Sequence, residues 1–126
     1  MKTSSKLAIA AAAVGAWLLA KKKGVISGIG RVDNEWGANE MYLWVMNTES
    51  LYNRYRNAVK RWIDLFNGDR KTIEAKIVFY LKNDIARGMI SFNPGMGRGE
   101  AARKIAAKDI YDAFYEDWEY DQKHKS

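Results

Sequence analysis

An all-α fold, a small bundle of three to four helices behind an N-terminal apolar helix, is predicted by three observations. Apolar residues recur at spacings of three and four, and no segment alternates in the manner of a strand. Capping residues and glycines stand at the borders of those periodic segments. The only Pro lies in a Gly-rich stretch between two of them.

The chain has 126 residues, enough for one small domain. Its 48% apolar content, with five Trp, seven Tyr and four Phe, argues against disorder from lack of burial. There is no Cys, and the only His is His124, so disulfides, thiolate zinc sites, Cys nucleophiles and catalytic triads are close to excluded. No cofactor or metal is expected. The net charge of +6 is unevenly placed. Lys2, Lys6, Lys21, Lys22, Lys23 and Arg31 supply all of it, while the remaining 95 residues hold 15 basic and 15 acidic groups. Within that neutral part, residues 54–104 carry 12 basic against 5 acidic groups, and residues 109–121 are purely acidic among their charges. Opposite signs on neighbouring elements can then satisfy each other within one fold.

The first element, residues 1–23, contains an uninterrupted apolar run of 14 residues, Leu7 to Ala20, between Lys6 and the triplet Lys21, Lys22, Lys23. As a helix it is ~21 Å long, short of the ~30 Å hydrocarbon core unless lysine stems snorkel and residues 3–5 extend it. Leu7, Ile9, Val14, Trp17, Leu18 and Leu19 are the candidate anchor residues, with Trp17 suited to a membrane interface. Three readings stay open: a retained membrane anchor, a cleaved signal and an Ala-rich helix packed in a protein assembly. The Lys triplet disfavours cleavage and tilts the C-terminal side toward the cytoplasm.

Residues 24–32 include GVISGIG, with three glycines in seven residues, and read as a linker. The helical domain is expected over 33–120, with a polar tail at 121–126. A short helix is expected over Glu40–Met46, with Trp36 and Trp44 as core residues. Asn47 and Thr48 can cap a helix over Glu49–Phe66, stopped by Asn67 and Gly68. Its wheel groups Leu51, Tyr55, Ala58, Val59, Trp62, Leu65 and Phe66 on one face and Arg54, Arg56, Lys60, Arg61 and Asp64 on the other. Trp62 is expected near the centre of the core. Asp69 caps the next helix, Arg70–Arg87, which ends at Gly88. Ile73, Ile77, Tyr80, Leu81 and Ile85 line one face, and Ala75, Phe79 and Ala86 form a second patch, the mark of a central helix or of one that meets a partner. SFNPGMGRG, residues 91–99, is a loop. A last helix from Glu100 to about Tyr120 sets Ala106, Ile110, Ala113, Phe114 and Trp118 opposite a stripe of Asp109, Asp112, Glu116 and Glu119.

Few motifs carry chemistry. The glycines at 95, 97 and 99 precede a helix, where amides can cradle a phosphate, but the Lys-Ser/Thr ending and the preceding strand are missing. Asp109, Asp112 and Glu116 have the spacing of a hard-cation or acid/base cluster, but like charges so placed repel, and the stripe reads first as a solvated face or one facing basic groups of another helix. Lys21, Lys22, Lys23, Arg54, Arg56, Lys60 and Arg61 are the candidate polyanion contacts, for acidic lipid headgroups or nucleic acid.

Leu43 with Asn47, the Leu51-Tyr52 pair, the basic helix, Gly68 and the run Ala75 to Leu81 resemble a group of short uncharacterised helical proteins of bacteriophages and mobile elements. The likeness spans residues 40–88 and is a helix-packing pattern; it implies a phage origin and no assigned activity. The expected function is a non-enzymatic tethered helical module, a phage-encoded membrane-associated or virion structural or accessory protein. Its soluble domain is expected on the cytoplasmic or virion-interior side. Partners are expected through residues 7–20, a membrane or a protein assembly, with homo-oligomers open. The alternative is a nucleic-acid-binding accessory protein using the basic face of helix 49–66.

Overall fold

The computed structural model describes residues 32–125, which form four helices: α1 (Asn34–Asn47), α2 (Glu49–Leu65), α3 (Arg70–Ala86) and α4 (Glu100–Lys123). The described part is all-α, and its one β feature is an isolated bridge between Asp33 and Met96. The apolar segment at 7–20, its candidate anchor residues and Lys21, Lys22 and Lys23 lie outside the described residues. None of the described helices is long and apolar enough to cross a membrane.

α1 starts six residues earlier than its apolar pattern suggests. Asp33 caps it, its carboxylate accepting from the Trp36 amide at 3.0 Å. Gly37 would ordinarily weaken a helix by about 1 kcal/mol relative to Ala. It is retained here because the backbone of Gly97 packs directly on it. The buried face of α1 consists of Gly37, Ala38, Met41, Tyr42, Val45 and Met46. Trp36 and Trp44, expected as core residues, are only half-buried, and the Trp44 indole N–H donates to Glu40 at 2.9 Å.

Thr48 alone separates α1 from α2. Its extended backbone (φ −103°, ψ 114°) ends one helix, its N–H donating to Trp44 O, and starts the next without a side-chain cap. α2 stops at Asn67 and Gly68, both with positive φ (52° and 75°), where Gly68 donates to Ile63 O at 2.9 Å. Asp69 caps α3 through the Thr72 hydroxyl at 2.8 Å, with a longer bond from the Thr72 amide. Gly88 (φ 74°) ends α3 after Arg87.

The core joins Tyr55, Val59 and Ile63 of α2, Ile73, Ile77 and Leu81 of α3, and Ala106, Ala107, Ile110 and Phe114 of α4 to the α1 residues above. α4, ~36 Å long at 1.5 Å per residue, packs against all three other helices and is the axis of the bundle. Its inward alanines, Ala102, Ala106, Ala107 and Ala113, let the neighbours approach closely. α3 is therefore not the central helix, and its second apolar patch of Ala75, Phe79 and Ala86 is exposed.

Trp62 is displaced from the expected centre. It is half-buried at the α2–α3 edge, with the Tyr80 ring edge-on at 5.0 Å and Lys76 Nζ at 5.9 Å from its centroid. Ile63 is buried in its stead and Leu65 is 67% exposed. The cause is the placing of neighbours: α3 flanks one side of α2 and α4 another, so the buried arc runs through Tyr55, Val59 and Ile63.

Candidate functional site

The basic residues of α2 divide between two neighbours and the solvent. On the α3 side, Arg54 pairs with Asp84, which is 1% exposed. The Tyr55 hydroxyl donates to the same carboxylate oxygen, Oδ2, while Oδ1 accepts no bond from the described residues. The guanidinium also lies over the Tyr55 and Tyr80 rings, 5.4 and 5.3 Å from their centroids. Burial raises the Tyr55 hydroxyl far above its ordinary pKa, and the adjoining Asp84 adds to it against the opposing Arg54 charge. For Arg54, burial acts to lower the pKa, but the hydrogen bond and charge of Asp84 outweigh it and the net direction is upward. Tyr55 remains a phenol, Arg54 a cation, and the cluster ties α2 to α3.

On the α4 side, Arg56 Nε meets Asp117 at 2.6 Å and its Nη2 lies 3.8 Å from Asp121. Lys60 pairs with Asp121 and reaches Asp117 at 3.6 Å. The Lys60 hydrogen bond holds the Asp121 carboxyl below the usual range against an opposing desolvation, with the Lys60, Arg56 and His124 charges helping. Beside this four-residue network, the Trp118 indole donates to Asp64 at 3.0 Å. Arg61 is exposed and enters no ion pair among the described residues. Of the four α2 polyanion candidates, Arg54, Arg56 and Lys60 are thus engaged within the fold, and Arg61 stands alone.

The acidic stripe of α4 is also shared out. Asp112 pairs with Arg70 at 2.8 Å, and Arg70 lies 4.8 Å from the Tyr111 ring centroid. Asp109 keeps an exposed surface, but desolvation at the helix face raises its carboxyl, with Asp112 adding to it and Lys108 opposing. Burial raises the Tyr42 hydroxyl too, followed by the charges of Asp109 and Glu116. Arg70, Tyr111, Asp112, Tyr115, Glu116 and Glu119 line an open groove of about 300 Å³. Among the described residues no three acidic or His side chains are placed to hold a metal ion.

The Gly-rich loop folds back on the start of α1. Asp33 N donates to Gly95 O, and Gly97 N donates to Asp33 O, each at 2.8 Å; Met96 N donates to Asn93 O. The Met96 and Gly97 amides are thus engaged within the fold. The need for glycine at 97 comes from Asn34 and Asp33, whose atoms crowd the space a Cβ would take. That contact joins positions 33 and 34 to position 97, and no local pattern announces it. Comparison of the chain with protein-family models, with curated proteins and with solved structures yields no match.

Proposed function

We propose that this chain is a non-enzymatic tethered module. Its apolar segment, residues 7–20, holds the helical domain at a membrane or inside a protein assembly, where the domain's polar faces meet a partner. The observation that carries this reading is the internal pairing of the domain's charges: Arg54 with Asp84, Arg56 and Lys60 with Asp117 and Asp121, and Arg70 with Asp112. The surplus of positive charge then belongs to residues 1–31, around the apolar run. The likeness to short phage and mobile-element proteins favours a phage-encoded accessory or virion role, with the domain on the cytoplasmic or virion-interior side. Fractionation of the full chain with a carbonate wash tests it. Retention in the pellet is the expected result, and a soluble monomer overturns it.

A nucleic-acid role for the α2 face is the second reading. It rests on Arg61, and on Arg54, whose side chain stays 41% exposed beside Asp84. On the tethered reading, Arg54→Ala with Arg61→Ala leaves any salt-sensitive DNA binding of the full chain unchanged, while Asp117→Asn with Asp121→Asn frees Arg56 and Lys60 and strengthens it. Loss of salt-sensitive binding in Arg54→Ala with Arg61→Ala would establish the second reading instead.

A further inference from the structure

Along the outer side of α3 the residues at 71, 75, 79, 82 and 86 follow a helical stripe, and all five are exposed. They are Lys71, Ala75, Phe79, Lys82 and Ala86, spanning ~22 Å of helix. A lone exposed apolar side chain needs no explanation. Here, however, Phe79 is 60% exposed with small alanines above and below it, so its ring stands proud of the surface. The two lysines have no acidic partner among the described residues, whereas Arg54, Arg56, Lys60 and Arg70 are paired within the fold. The acids of α3 are elsewhere: Glu74 is paired with Arg70, and Asp84 is buried.

We propose that this stripe docks flat on an anionic lipid surface, Phe79 entering the headgroup layer while Lys71 and Lys82 lie against lipid phosphates. The inference deepens the tethered reading and rests on it. Charge selects the partner: an uncompensated basic rim fits an anionic surface, and each such cation near a charged leaflet favours binding. Shape selects among anionic partners, because a convex helix with one protruding ring matches a deformable headgroup layer and offers no cleft in which bases could stack. A second copy is disfavoured, since two identical stripes would oppose lysine to lysine.

The chain contains no Cys, so a single introduced thiol gives one labelling site. Full-length Ala75→Cys carrying an environment-sensitive fluorophore is mixed with phosphatidylcholine vesicles and with phosphatidylcholine/phosphatidylglycerol vesicles. Asn57→Cys, on the exposed side of α2, is the control. The expected result is a blue shift at position 75 on the anionic vesicles only, none at position 57, and loss of the shift in Lys71→Glu/Lys82→Glu and in Phe79→Ser. A chain that floats with both vesicles while position 75 stays in water overturns the docking and leaves the tether standing. A shift on anionic vesicles without flotation on zwitterionic ones upholds the docking and overturns a lipid-spanning tether. An equal shift on both vesicle types, a shift caused by a DNA duplex in place of vesicles, or a label already sheltered without vesicles each overturns the docking. The last two identify nucleic acid, or the chain itself, as the occupant.

Discussion

At Gly37 a hydrogen atom is all that fits between two stretches of backbone. A Cβ there would sit 1.6 Å from Gly97 O, and the atoms in the way are main chain, which cannot rotate aside. Gly37→Ala must therefore part the loop from α1, at a cost of about 3 kcal/mol, the upper range for overpacking. Gly99, by contrast, has nothing within 4 Å of a built Cβ and occupies the N-cap of α4 without a side-chain bond. Gly99→Ser should leave stability unchanged or raise it by a few tenths of a kcal/mol; urea melts of the two variants side by side separate these effects. Asp109 bears on pH. Desolvation and then Asp112 raise its carboxyl, so its ionised form opposes folding, and that penalty is relieved as pH falls through the raised value. Asp109→Asn should melt higher than the parent at neutral pH. The two should converge below pH 3.8, the ordinary value of the group, where both side chains are neutral. Asp121 has the opposite sign: its lowered pKa contributes stability above the ordinary carboxylate value, lost as pH falls through the lowered one.

Among the helices, α2 shows how far a one-dimensional pattern reaches. Its C-terminal end is legible because Asn67 and Gly68 are local devices, and α3 is bounded likewise by Asp69 and Gly88. Its orientation about its own axis was legible only to within one residue: the wheel favours Trp62 by bulk, whereas the neighbours bury Ile63. Ile63→Ala should cost ~2–5 kcal/mol, as for a closed core site. Trp62→Ala should cost about 2 kcal/mol, because the side chain is only partly buried and partial exposure scales down the loss for a buried Trp. Chemical denaturation of both variants checks the order, and a larger loss at Trp62 would restore the wheel. The pairing of Arg56 with Asp117 was foreshadowed by opposite charges on different segments, but the partners are 61 residues apart and no spacing rule joins them. The start of α1 was hidden by Gly37, a residue that looks like a helix breaker until Gly97 is beside it. As for the site, the basic face was legible as residues and illegible as chemistry, since its charge state depends on what α3 and α4 set against it.

Considered whole, the described domain has one axis and three elements leaning on it. Neither the α1–α2 pair nor the α2–α3 pair encloses the core by itself, because Ile110, Phe114 and the alanines of α4 form the wall that both need. That wall is last in chain order. During synthesis, residues 34–86 leave the ribosome with their apolar faces bare, and they stay so until Phe114 has emerged, long after residues 7–20 are available to whatever receives them. If residues 7–20 tether the chain as proposed, that segment meets its receiver before the domain closes, and a ribosome stalled before residue 100 leaves an adhesive, unfinished chain.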